Sequence, residues 1–353
     1  MTIFLYLSST AEAYTWFLQA AYGFIAGVAG LLFSVFVFRK QRFVKQQKKA
    51  ALRLLFSDLI AETVVCESQE EIDVTLQTFL ATNGKLLQKP FARDLLVKEI
   101  VKTKDDISGS SAENLRLLFE KLNLDKDCYQ RFRSKQWHVK ARAIQQLAEM
   151  QQSQYLVKIY RETNHQNKAI RTEAQLAVVK LTGFKGLRFL NIVSHPVSQW
   201  QQLSLLHQLN DSAADESNLR KWLSSENETV VEFALRLAEA YQCYALHDDV
   251  LACLQHTSAA VRHQALLALR EVSNDSTPTA LIHYFFRATK QEQLLILDLL
   301  GDIGSADTEI GFLETLQQCD DEMLRHRAGQ ALQQIRPAST AVSLLSGFSK
   351  QAV

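Results

Sequence analysis

Val261-Arg262-His263-Gln264-Ala265 is one of five versions of a single string. The others are Val139-Lys140-Ala141-Arg142-Ala143, Ile170-Arg171-Thr172-Glu173-Ala174, Val230-Val231-Glu232-Phe233-Ala234 and Leu324-Arg325-His326-Arg327-Ala328. With the last residue as an anchor, and Ser204 and Ile296 filling two degenerate copies, anchors fall at 143, 174, 204, 234, 265, 296 and 328, in steps of 30 to 32. A fixed period of this size marks a solenoid, whose helical hairpins cannot bury their apolar faces without neighbours. The pattern therefore predicts an all-α solenoid over residues 134–336. A solenoid offers surface, which makes binding the first expectation and catalysis the second.

Composition agrees with a helical chain: 353 residues, 47% hydrophobic, with only 12 Gly and 4 Pro. The formal charge of +1 is unevenly placed. Residues 39–65 carry seven basic side chains (Arg39, Lys40, Arg42, Lys45, Lys48, Lys49, Arg53) against Asp58 and Glu62, whereas residues 134–340 hold 20 basic and 23 acidic ones. The repeat region is thus not a basic body built to neutralise phosphates, and no nucleic-acid partner is expected. The five cysteines (Cys66, Cys128, Cys243, Cys253, Cys319) have neither a C-x-x-C pair nor zinc-site spacing, and read as reduced thiols in a reducing compartment. No metal and no cofactor is expected.

Residues 14–38 contain no charge, and 25 such residues are enough to cross a bilayer as a tilted helix. A cleaved signal peptide fits poorly, because no Lys or Arg precedes the apolar run and a strongly basic stretch follows it. Only Glu12 is charged before the run, so the positive-inside rule predicts residues 1–13 outside, a span at 14–38 and the rest in the cytoplasm, at an inner or plasma membrane. Tyr14 and Trp16 would sit at the outer interface, and the seven basic residues of the juxtamembrane helix 39–65 would set topology and meet lipid headgroups. Within the span, Ala20, Gly23, Gly27, Gly30 and Ser34 follow steps of 3, 4, 3 and 4, a small-residue face suited to close packing against another membrane helix or a second copy.

In residues 39–65, Phe43, Ala50, Leu54 and Leu55 lie in rough helical phase and predict an amphipathic helix. Residues 66–133 lack the repeat string and read as a helical N-terminal cap. Within it, helices are expected from Gln69 to about Leu87 and from Pro90 to about Ile107, followed by a break at 108–111. Ser110 and Glu113 have capping-box spacing ahead of a helix at 115–122. In the repeats, Asn167, Asn227, Ser258 and Asp321 stand where N-caps belong. Residues 337–353 read as a loose C-terminal tail.

The strings Val261-Arg262-x-x-Ala265-x-x-Ala268-Leu269, Leu324-Arg325-x-x-Ala328-x-x-Ala331-Leu332 and Ile170-Arg171-x-x-Ala174-x-x-Ala177 resemble the HEAT-repeat superfamily, and the short period resembles its bilin-lyase-type branch. The resemblance implies that the string-bearing helices line the concave face. It also implies that Lys140, Arg171, Arg262 and Arg325 pair with acidic residues of neighbouring turns, a ladder interrupted at 200–204, at Val231 and at 292–296. Some HEAT-type proteins are enzymes, but no histidine here is followed by Glu, and the P-loop, G-x-S-x-G and H-E-x-x-H motifs are absent from the sequence. The expectation is a membrane-anchored cytoplasmic scaffold that docks protein partners, an assembly or regulatory subunit such as an envelope polysaccharide complex would use. A HEAT-type enzyme or nucleic-acid handler is the alternative.

Overall fold

The computed structural model describes the backbone of residues 2–209, 213–304 and 307–349, and the side chains there except at 2–21, 25–26, 307–308 and 336–349. Among the described residues there is no β-strand. The chain divides into two compact units, Met1–Asp127 and Cys128–Val353.

The first unit begins with α1 (Thr2–Val65), followed by α2 (Gln69–Leu87), α3 (Pro90–Asp105) and α4 (Ser110–Lys121); α5 (Leu124–Phe132) contains the division. With no proline before Pro90, nothing interrupts α1, so the apolar and basic stretches share one helix. Phe56, Leu59, Ile60 and Thr63 are buried at helical spacing against α2, α3 and α4. Of the residues expected on the apolar side of this stretch, Phe43, Ala50 and Leu54 are exposed and Leu55 is half-buried, because only the last turns of α1 have neighbours within the fold. Side chains of α4 take the orphan carbonyls at the end of α1. Ser111 Oγ donates to Val64 O (3.1 Å), and Asn114 Nδ2 donates to Thr63 O (3.3 Å) and Cys66 O (2.7 Å).

The expected capping box at Ser110 does not form. Gly109, at φ 71°, is the N-cap of α4 and Ser110 its first helical residue, while Glu113 is held by Arg116 one turn on. At α2, Ser68 Oγ accepts from Glu71 N as an N-cap, while the Glu71 carboxylate accepts from Glu67 N, one residue before the cap.

The second unit alternates long and short elements. α6 (Trp137–Glu149) precedes α7 (Leu156–Tyr160), and α8 (Lys168–Thr182) runs into a 3₁₀ segment at Gly183–Asn191. Then come α9 (Gln199–His207) with α10 (Glu216–Leu223), α11 (Glu228–Ala240) with α12 (His247–Ala252), α13 (Ala259–Glu271) with α14 (Thr277–Phe285), and α15 (Lys290–Ile303) with α16 (Asp307–Leu316). α17 (Glu322–Ser349) ends the series, its backbone remaining helical through Pro337. String-bearing helices pack on one another at five of the six successive steps, α6 on α8, α8 on α9, α11 on α13, α13 on α15 and α15 on α17, as in a solenoid.

The helix N-caps fix the register. Gln136, Asn167, Ser198, Asn227, Ser258 and Thr289 cap α6, α8, α9, α11, α13 and α15, and Asp321 Oδ1 accepts from Met323 N and Leu324 N. The seventh residue after each is Ala143, Ala174, Leu205, Ala234, Ala265, Ile296 or Ala328, and every one of these is buried. The third anchor is therefore Leu205 rather than Ser204, which is half-buried with its hydroxyl bonded to Trp200 O. Asn167, Asn227 and Asp321 make the expected caps. Ser258 caps through its backbone conformation alone, since His256 Nδ1 accepts its N–H (3.0 Å) and holds the turn without the hydroxyl.

Candidate binding face

The position four residues after each N-cap shows what the recurrent basic residue does. Arg171 donates to His165 O and Gln166 O, Arg262 to His256 O and Thr257 O, and Arg325 to Cys319 O and Asp320 O. Each guanidinium thus closes the turn five and six residues before it, satisfying carbonyls that would otherwise be orphaned. Gln202 occupies the same position in the corrected register and donates to Val197 O, also five residues back, and across to Thr229 O. Acidic partners occur at two of the four basic positions: Lys140 with Glu162 (2.6 Å) and Arg262 with Glu292 (2.8 Å). The expected ladder of ion pairs is at Arg171 and Arg325 a set of backbone caps.

With the register set, the residues five and two before the anchor are both exposed on three of the seven string-bearing helices: Trp200 and Leu203 on α9, Ala260 and His263 on α13, and Met323 and His326 on α17, whereas Ala141 and Glu232 at the same register are buried. Three cavities follow this face. One of about 500 Å³ lies between α6, α8 and α9 and is walled by Leu176, Trp200 and Leu203. A second of about 350 Å³ includes Ala260, His263 and Gln291, and a third of about 440 Å³ includes Met323 and His326. Trp200 is 66% exposed, Leu203 54% and Met323 60%, so the face carries large apolar groups with no intramolecular partner. Sequence reasoning missed these residues; the signal was present in Trp200 and Leu203, but an anchor placed one residue early hid their outward phase.

Charges between these helices are mostly matched one repeat apart. Lys180 pairs with Glu149, Arg270 with Asp302 (3.1 Å) and Arg327 with Asp298 (3.1 Å). Burial, then the neighbouring Glu149, raises the Glu173 carboxyl above its ordinary range. Burial raises Glu239 too, although Gln264 Nε2 donates to it at 2.7 Å.

His247 resembles a base beside a hydroxyl, with Nε2 2.9 Å from Thr277 Oγ1 and Nδ1 2.9 Å from Asp248 Oδ1. Thr277 is fully buried and also accepts from Asn274 N, so the pair ties α12 to α14 and offers no substrate an approach. Burial, then Asp249, pushes the Cys253 thiol up to about 11, which leaves it a poor nucleophile at neutral pH. Among the described residues no group of three or more His, Cys, Asp or Glu is placed to hold a metal ion.

The residues expected at the membrane all lie on α1. Its most apolar stretch has a mean hydropathy of 1.8, none of it is buried, and it is long enough to cross a bilayer. Gly23, Gly27 and Gly30 have nothing within 4 Å of where a Cβ would stand, and Ser34 is exposed; the Ala20, Tyr14 and Trp16 side chains lie outside the described residues. Arg39, Lys40, Arg42, Lys45 and Lys48 are exposed and Lys49 is half-buried, whereas Arg53 pairs with Glu99 of α3 at 2.8 Å.

No family model matches the chain, and no curated protein matches it. Among solved structures, the chain is similar to a designed armadillo repeat protein, with 14% identity over 59% of this chain and 98% of that one and a TM-score of 0.32. It is also similar to an engineered protein (15% identity, 60% and 96% covered, TM-score 0.32) and to human deoxyhypusine hydroxylase in complex with glycerol (17%, 72% and 99%, TM-score 0.28).

Proposed function

We propose that the chain is a HEAT-type scaffold, held in a membrane by α1, that docks a protein partner on the face formed by its string-bearing helices. The observation that carries this is the exposure of Trp200, Leu203 and Met323 on string-bearing helices, beside cavities on that face. The apolar part of α1 is the anchor. The basic cluster after it orients residues 1–13 outside and the solenoid in the cytoplasm.

Because the helix is unbroken from Phe38 to Phe56, where burial begins, it acts as a stalk. Eighteen residues at ~1.5 Å each hold the first buried turn roughly 27 Å from the end of the apolar stretch. Arg53, already held by Glu99, belongs to the folded unit, which leaves the other six basic residues for headgroups. Tethering raises the effective concentration of the binding face for partners at the same membrane, so a modest interface suffices.

Affinity capture of the full chain in mild detergent tests the proposal. A discrete partner should co-purify with the parent chain and be lost when Trp200 and Leu203 are both replaced by Ala. Equal recovery from both chains, or no partner above the empty-resin control, would contradict it.

A further inference from the structure

The cavity between α6, α8 and α9 holds a carboxylate without a cation, whereas both carboxylates of the cavity of about 350 Å³, Glu232 and Glu292, are paired with arginines. Two of its carboxylates, Glu149 and Glu173, stand against one ammonium, Lys180, and that ammonium is already paired with Glu149. Glu173 has no cation and no hydrogen-bond donor, although it is more than half-buried. Elsewhere on the string-bearing helices Glu232 is held by Arg236, Glu292 by Arg262, Asp298 by Arg327 and Asp302 by Arg270, and the half-buried Glu239 accepts from Gln264. The position that would complete this pattern beside Glu173 is open cavity, rimmed by the exposed indole of Trp200.

A volume of about 500 Å³ falls within the size range of ligand pockets. Apolar walls exclude water from a charge pair, and an indole face attracts a flat cation. Arginine meets both demands, since its guanidinium stacks on an aromatic ring while its fork reaches a carboxylate; the more strongly hydrated lysine ammonium meets them less well.

We infer that this cavity receives the arginine side chain of an extended segment of the partner protein, the guanidinium pairing with Glu173 and lying against Trp200, while an apolar neighbour in the segment covers Leu203. This rests on the scaffold function proposed above and assigns the chemistry of one of its subsites. His207, exposed at the rim, is the other titratable group that faces the cavity and would disfavour the cation if protonated.

The test uses a display library of random 12-residue peptides selected on the full chain in detergent. The selected pool should be rich in arginine beside an apolar residue. Binding of its members should fall about tenfold or more with Glu173→Gln, as for loss of a charged hydrogen bond, and with Trp200→Ala. Replacing the peptide arginine by citrulline should abolish the difference between parent and Glu173→Gln, and replacing it by lysine should weaken binding severalfold.

Glu173→Gln removes a desolvated charge and should melt no lower than the parent, which separates lost binding from lost folding. Peptides that bind Glu173→Gln as tightly as the parent would overturn the arginine assignment while leaving the scaffold function standing. A chain that retains no peptide at all would overturn both.

Discussion

Replacing Leu205 and Ser204 singly by Ala tests the seven-residue rule that sets the register of the solenoid. Leu205 is fully buried, with α8 packed beside its helix. Truncating a buried leucine costs the transfer of its methyl groups plus the cavity left behind, about 2–5 kcal/mol. Ser204 is half-buried, and its hydroxyl bonds only to Trp200 O in its own helix (2.8 Å). Its loss should change stability by roughly 0.5 kcal/mol or less, as surface substitutions do. In a unit of this size, 1 kcal/mol shifts the melting temperature by about 2–4 °C, so Leu205→Ala should melt about 6–12 °C lower for a 3 kcal/mol loss, with Ser204→Ala within about 2 °C of the parent. Differential scanning calorimetry of the full chain in detergent measures both, and hydrogen exchange should show the loss of protection centred on α8 and α9. If Ser204→Ala is the more damaging of the two, the anchor is where the bare spacing first put it and the rule fails.

Arg262 is joined to Glu292 and to two turn carbonyls, so Arg262→Met should cost about 2–4 kcal/mol by leaving Glu292 buried without its cation. Burial raises the Glu292 carboxyl, but hydrogen bonds from Thr289 and Arg262 outweigh it and hold the group below its ordinary value. The stability it contributes is present above the unfolded carboxyl pKa of about 4.3 and lost as pH falls through the folded value. Melting curves below pH 4.3 should therefore drop more steeply for the parent than for Arg262→Met. A reporter fused after Val353 should behave as cytoplasmic and one placed before Tyr14 as external, and replacing the basic residues of 39–53 by Gln should scramble that orientation. In a membrane two-hybrid assay of residues 1–50, Gly27→Ile should weaken association of α1 while Leu31→Ile changes little; equal tolerance would make the small-residue stripe incidental.

The period was legible because Ala and Val recur wherever two string-bearing helices must pack closely, so the sequence repeats what the packing demands. It failed at the third copy for a physical reason: Gln201 and Gln202 stand where four of the other copies carry an apolar and a basic residue, yet both are buried. Gln201 Nε2 donates to Gln175 Oε1, Gln175 Nε2 donates to Thr163 O, and Gln202 substitutes for the arginine cap, so amides do there what the string led one to seek from other side chains. The exposed face was invisible for a related reason. Whether Trp200 points outward depends on a one-residue choice of register, and whether Glu173 lacks a cation depends on which side chains of three helices reach it, which no spacing in the sequence records. At α1 the apolar and basic stretches and their union in one helix were plain, but that burial begins only at Phe56 followed from where α2, α3 and α4 pack.

The most direct measurement is photo-crosslinking in intact cells from the full chain, with a benzophenone amino acid placed singly at Trp200, at Met323 and at Tyr244. The first two lie on the string-bearing helices, and Tyr244, 59% exposed, lies in the 3₁₀ turn just before α12. The scaffold account predicts a discrete membrane-fraction adduct from positions 200 and 323 and none from 244. Adducts from 244 alone, or from none of the three, would contradict it.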